Sequence, residues 1–317
     1  MLDIHKKLMV HLPNMVGDTI MALPALHGLA QCNVDLVLYG QPWIKDLLGG
    51  MPYPLKILPQ RKVYQSYRQN QIKYSLLLRS SSFSAAFLSF LAGKKNFGYR
   101  GGLRSFFLTS SLPKTYCHYV EHFWRLAQFT AYQLGYSQNF LPLPPKITLT
   151  VSLTKQQAAK KLLAQLGIPS NFWILCPGAT GKGIRGEEKI WPYWLEFSRR
   201  LIQKQIPVVA CPGPNELTNF KRLLAPGVNI IEGLDLGIYA AIISQASQVI
   251  ANDSGPMHIA AACETSVLGI FGMTDPMISH PWGGKFVGKK GVWPSIDVVE
   301  RTLVTQNKAL SKFFSHS

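Results

Sequence analysis

The feature that most restricts the fold is a rhythm of short apolar runs alternating with helical patterns, which occurs twice along the chain. In the first half "KLMVHL" is followed by a helical stretch from about Asp18, "VDLVLY" by a short helix, and "YSLLLR" by "FSAAFLSFLAG". In the second half "FWILCPG", "IPVVACPGP", "VNIIEG", "QVIANDSG" and "SVLGIFG" alternate with helical stretches such as "WPYWLEFSRRLIQK" and "LGIYAAIISQA". Strand and helix in strict alternation imply parallel sheets covered on both faces. Between the halves, "LPLPPKITLTVSLT" (Leu141 to Thr154) contains three prolines, which interrupt a helix and favour an extended connector. The expectation is an α/β chain of two Rossmann-like domains, residues 1–150 and 151–300, with parallel sheets facing across a cleft. Residues 301–317 are expected to form a C-terminal tail packing back on the N-terminal domain.

In such sheets ligands bind beyond the carboxyl ends of the strands, so the loops that follow strands are where function is sought. "ANDSGPMHIAAAC" (Ala251 to Cys263) reads as a strand end, a turn at Asp253, Ser254 and Gly255, and a helix with Pro256 in its first turn, where a missing N–H costs nothing. Free N–H groups and the helix dipole at such a start suit a phosphate or diphosphate, with His258 one turn in. Capping of the helix by Asp253 or Ser254, with His258 in the core, fits the same residues.

A second loop, "LCPGATGKGIRGEEKIWPYW", places Lys182, Arg185 and Lys189 among glycines after a strand. It is not a P-loop, which would need glycine at Cys176 and a hydroxyl residue at Gly183. It reads as a basic loop able to reach a phosphate, or as ordinary solvated lysines. The third loop, "HLPNMVGDTIMALPAL", uses Gly17 for a tight turn and sets Asp18 at the start of the first helix, as a general base or as a helix cap. Pro24 is expected to kink or shorten that helix.

Charge is the second constraint. The formal net charge is +17, and residues 1–150 carry 16 Lys and Arg against 5 Asp and Glu. An anionic membrane surface or a phosphorylated or carboxylated substrate fits that field. The basic residues are dispersed and no zinc-finger or RNP-like motif occurs, so nucleic acid is not the expected partner. No run of apolar residues reaches the roughly 18 that a membrane span requires. The N-terminal apolar run is too short for a signal-peptide core, which makes a cytoplasmic location the expectation. The five cysteines are scattered singly, without metal-ligand spacing, and read as reduced and mostly buried.

"GDTIMALPAL", the "PGA…K-x-WP" loop, "GPNE", "NDSGPMHIAAA" and "FGMTDP", in this order over nearly the whole chain, resemble the ADP-heptose:lipopolysaccharide heptosyltransferases, the family 9 glycosyltransferases of GT-B fold. "LLLRSSSFSAAFLSFLAGKKNFGYRGGLRSFFLTSSLP" is most similar to the branch named heptosyltransferase II. The resemblance implies inverting transfer of heptose from ADP-heptose to the lipopolysaccharide inner core, the second heptose favoured, without a bound metal or other cofactor. It makes the first domain the acceptor-binding one and the second the nucleotide-sugar-binding one. It implies Asp18 as the base on the acceptor hydroxyl, Lys189 on the donor diphosphate and Glu216 on the adenosine ribose. Asp253 would position the donor sugar, and Ser254, Gly255, His258 and the loop carrying Thr274 would surround the diphosphate. Where the family has Lys-Arg before Trp-Pro this chain has Lys189-Ile190, so Lys182 or Arg185 is expected to supply the second cation.

Inner-core lipopolysaccharide carries Kdo carboxylates and phosphates. Arg61, Arg79, Arg100 and Arg104, with Lys62, Arg68, Lys94 and Lys95 beside them, are the candidates to bind these anions. The aromatics and arginines of "GYRGGLRSFFL" also suit an anionic inner leaflet, hence an expected peripheral association with the inner membrane. The competing readings are a family 9 transferase with another nucleotide sugar or acceptor, a GT-B-fold nucleotide-sugar epimerase, and a non-catalytic sugar-binding protein. A dinucleotide oxidoreductase is set aside because no G-x-G-x-x-G follows the first strand.

Overall fold

The computed structural model describes residues 6–52, 56–58, 72–79, 83–136, 140–179, 189–307 and 311–314. Contacts divide the chain into two units, Met1–Thr150 and Val151–Ser317. Each is built around a six-stranded parallel sheet.

In the first unit the strands are β1 (Lys7–His11), β2 (Asp35–Tyr39), β3 (Lys56–Leu58), β4 (Tyr74–Leu77), β5 (Lys95–Tyr99) and β6 (Ser110–Leu112), in the spatial order β3-β2-β1-β4-β5-β6. The central strand β1 pairs on both sides, Val10 lying opposite Leu38 and Leu76. Its residues Leu8, Met9 and Val10 are fully buried, as a strand covered on both faces requires. The second unit repeats the plan with β7 (Trp173–Cys176), β8 (Val208–Ala210), β9 (Asn229–Ile230), β10 (Gln248–Asn252), β11 (Val267–Phe271) and β12 (Lys285–Gly288), ordered β12-β11-β10-β7-β8-β9. Both orders reverse direction beside the first strand of the unit, which places a switch point between β1 and β4 and another between β7 and β10.

The helices follow their sequence patterns. In Trp194–Gln203 the buried positions Trp194, Phe197, Ser198 and Leu201 recur at helical spacing and face the sheet. Trp191, Trp194 and Phe197 make edge-to-face contacts with centroids 5.3–6.4 Å apart and anchor the core of the second unit. In the first unit the break expected at Pro24 is present. One helix covers Val16–Met21 (α1), and a second, Leu23–Gln31 (α2), starts with Pro24 in its first turn.

Two expectations are corrected. Gly17 is not a turn residue but lies inside α1, because the helix begins one residue earlier, at Val16. Residues 301–306 do not start a separate tail. They complete the helix Ile296–Gln306, whose Ile296, Val299 and Leu303 are buried in the second unit's core. Phe313 and Phe314 pack on that same core, the Phe314 ring 6.3 Å from that of Trp173. The apolar stripe of the helix and the two phenylalanines are buried together, which is the physical reason the segment joins the second unit. The five cysteines are free.

Candidate active site

The carboxyl ends of the second sheet gather most of the residues singled out above. β10 ends in Asn252, Asp253 follows, and Ser254 precedes the helix Gly255–Ala262. Ser254 occupies the cap position, but its hydroxyl donates to the Asn252 carbonyl at 3.2 Å and no side chain caps the helix. Gly255 is the first helical residue and Pro256 the second. His258 is buried on the packed side of the helix, as the core-histidine alternative expects.

Asp253 is the centre of a polar cluster. Its Oδ2 accepts from the Thr274 hydroxyl at 2.7 Å and its Oδ1 from the Ser279 hydroxyl at 3.3 Å. Burial pushes its carboxyl above the ordinary value, while the Thr274 bond, the positive charge of Lys189 and the Ser279 bond pull it down. The carboxylate is therefore held in one orientation from the loops after β10 and β11, with a lysine from the loop after β7 close enough to act on it. Asp275, next to Thr274, caps the short helix Pro276–Ser279 by accepting from Met277 N at 2.9 Å, which fixes Ser279 beneath Asp253.

Glu216 ends the loop after β8 and accepts from the Gly213 N–H at 2.8 Å through Oε2. A Cβ on Gly178 would lie 3.1 Å from its Oε1, so the carboxylate sits against the bare backbone of the loop after β7. Glycine there lets backbone and carboxylate approach closely.

Asn252 and Ser279 were not among the residues expected from the sequence. Asn252 is fully buried, accepts from Trp191 N and Trp194 Nε1, both at 3.2 Å, and donates to the Pro177 carbonyl at 2.5 Å. It ties both flanks of the basic loop to the end of β10. The available signal was an amide closing a strand, "QVIAN", whose five residues are all buried, since a buried amide requires partners.

In the first unit the switch point carries Asp18 and Arg79. Asp18 is half-buried in the first turn of α1, and the cap position belongs to Met15, so Asp18 is not the helix cap. Arg79 follows β4, its N–H donating to the His11 carbonyl at 3.3 Å. Its charge acts on the His11 and Tyr39 rings, which are in edge contact at 5.0 Å. Burial and then Arg79 lower the His11 pKa to about 3, so this imidazole is neutral.

Arg100 is exposed after β5, its Nε donating to the Ser111 hydroxyl at 3.1 Å. Arg104 corrects its expectation. It is 4% exposed, and its guanidinium donates to the carbonyls of Arg79, at 3.1 Å, and of Tyr99. Those carbonyls at strand ends need donors, and Arg104 satisfies them instead of offering its charge to an acceptor. Arg61, Lys182 and Arg185, with Lys62 and Arg68, lie outside the described residues.

Among the described residues, no group of three or more His, Cys, Asp and Glu is placed to hold a metal ion, and no helix is long and apolar enough to cross a membrane.

Comparison with known proteins bears on the family and the fold. The family model of glycosyltransferase family 9 (heptosyltransferase) matches residues 60–300. The chain is similar to lipooligosaccharide heptosyltransferase 2 of Haemophilus influenzae, 26% identical over 86% of this chain and 85% of that one. It is also similar to lipopolysaccharide heptosyltransferase 2 of Escherichia coli, 24% identical over 88% and 86%. The solved structure of E. coli ADP-heptose lps heptosyltransferase II shares its fold, with a TM-score of 0.74 and 22% identity, covering 95% of this chain and 98% of that one.

Proposed function

Because this chain belongs to glycosyltransferase family 9, the heptosyltransferases, we propose that it moves heptose from ADP-heptose to the lipopolysaccharide inner core, adding the second heptose. The observation that carries this reading is the cluster at the carboxyl ends of the second sheet. There Asp253 is oriented by Thr274 and Ser279 beside Lys189 and an uncapped helix start.

The second unit binds the nucleotide sugar. Lys189 and the N–H groups at Ser254 and Gly255 take the diphosphate, with Lys182 and Arg185 adding charge and His258 packed under the first turn. Helix dipole and lysine together stabilise the charge that develops on departing ADP, so the leaving side needs no metal. Glu216 accepts from the ribose hydroxyls, for which a carboxylate is suited because it only accepts. Asp253, held by Thr274, positions the sugar.

The first unit binds the acceptor. Asp18 removes the proton from the attacking hydroxyl, whose oxygen forms the new bond at the anomeric carbon as the bond to ADP breaks, with inversion. Arg61, Arg79 and Arg100 hold the acceptor's anionic groups. The acceptor's lipid and the cationic first unit together support work at the inner leaflet, on its cytoplasmic side.

The test is ADP release from ADP-heptose with a heptose-deficient inner-core acceptor in EDTA, for wild type and Asp18→Asn. Acceptor-dependent release by the wild type that collapses in the variant is expected. Release without acceptor would favour a hydrolase or epimerase, and failure to bind ADP would overturn the nucleotide assignment.

A further inference from the structure

The crossover helix between β4 and β5, Phe83–Leu91, is packed inside out. Its small residues Ala85, Ala86 and Ser89 are the buried ones. Phe83, Phe87, Leu88, Phe90 and Leu91 are all exposed. In an ordinary crossover helix the large apolar side chains face the sheet.

The 310-helix Gly102–Phe107 lies against it and continues the apolar face, with Leu103 69% and Phe106 79% exposed. Phe107 locks the two elements together. Its ring lies 5.3–5.4 Å from those of Phe83, Phe87 and Phe90, and it packs on the cluster of Leu77, Ala85 and Ala86. Exposed large apolar side chains on two elements packed together mark an interaction surface.

We propose that this face docks on an anionic lipid bilayer, with Phe90, Leu91, Leu103 and Phe106 entering the acyl boundary. The inference rests on the inner-leaflet reading above and names the surface and the lipid chemistry. Charge selects the occupant. From Leu47 to Val120 the sequence has eleven Lys and Arg residues and no Asp or Glu. Of these, Lys95 and Arg100 are exposed and Lys94 is half-buried, all between the two apolar elements in sequence, and the Lys114 ammonium lies beside Gly101 at the start of the 310-helix.

Cations flanking apolar elements match phosphate headgroups over acyl chains. A second copy would bring like charges together. The helix has nine residues, too short to span a bilayer, so it lies in the interface. The same 310-helix supplies Arg104, which bonds the Arg79 carbonyl, and so couples the docked surface to the acceptor side of the sheet.

The experiment is co-sedimentation of the full chain with vesicles rich in phosphatidylglycerol and with vesicles of phosphatidylcholine alone. The wild type is expected to pellet with the anionic vesicles and to release as salt rises, since headgroup attraction is screened. Leu91→Ser/Leu103→Ser/Phe106→Ser is expected to bind about 10-fold more weakly or worse, with circular dichroism and melting unchanged because all three side chains are exposed. Lys94→Gln/Lys95→Gln is expected to flatten the salt dependence. Phe106→Trp provides a readout that does not depend on losing binding. Its emission should shift to the blue on anionic vesicles and be quenched by brominated acyl chains.

A wild type that stays in the supernatant would overturn the inner-leaflet reading and the surface together. Wild-type binding matched by the triple serine variant, or unshifted emission from bound Phe106→Trp protein, would overturn the surface alone. A dimer that the serine variant converts to monomer would assign the face to a second copy instead. None of these outcomes bears on ADP release, which tests the transferase reading separately.

Discussion

Asn252 shows how a residue without chemistry of its own holds together the loops in which the chemistry is proposed. Its amide satisfies two donors from the tryptophan segment and one carbonyl after β7, all buried. Asn252→Ala leaves those groups unpaired, and a loss of about 3 kcal/mol in second-unit stability is expected in denaturant melts. ADP affinity should fall with it, because both flanks of the basic loop come loose. Asp18→Asn is expected to keep the melting profile and donor affinity while lowering turnover by about 10²- to 10⁴-fold, the usual worth of a general base. Arg79→Gln should raise the acceptor KM and leave the donor KM in place. Asp18 stood out in the sequence because it follows a strand and a glycine. The role of Arg104 was not legible, since an arginine satisfying backbone carbonyls and one awaiting a ligand have the same local sequence.

Elements were legible in proportion to their length and regularity. The buried runs of β1, β2, β7, β10 and β11 announce themselves as strands, whereas Lys56–Leu58 and Lys285–Gly288 are too short or too exposed to carry a pattern. The helix Leu153–Gln165 begins inside the stretch expected as an extended connector, because Ser152 caps it by accepting from Lys155 N at 3.4 Å. The loop after β11 depends on a close approach that only the fold reveals. A Cβ on Gly272 would lie 2.0 Å from the Trp293 ring. Gly272→Ala is therefore expected to cost about 1–3 kcal/mol by overpacking and to displace Thr274 from Asp253. Donor affinity should fall more than for Thr274→Ser, which keeps the hydroxyl; isothermal titration with ADP separates the two.

At the scale of the whole molecule, the two units should differ in acid sensitivity. The first holds His11 and His122 neutral at physiological pH. Burial and then Arg79 lower His11 to about 3, and burial, then Lys114, Arg104 and Arg125, lower His122 to about 4. The unfolded chain, with histidines near the ordinary 6.5, binds these protons first. The stability these rings contribute is thus complete above that value and is lost as pH falls towards their folded values. Each should cost the first unit about 2 kcal/mol at pH 5. Melting followed between pH 7.5 and 5 checks this, and His11→Gln should remove part of the slope.

The sequence by itself determined the alternating parallel α/β architecture, the family and which loops are proposed to carry chemistry. Those properties are written in local periodicity and in contiguous motifs, which need no knowledge of distant contacts. Only the tertiary structure decided that Ser279 and Thr274 orient Asp253, that Asn252 ties down the basic loop, that Arg104 is internal and that an aromatic helix faces outward. Each of these depends on which residues far apart in the chain compete for the same buried donor, carboxylate or surface, and that competition is settled only when the sheets bring them together.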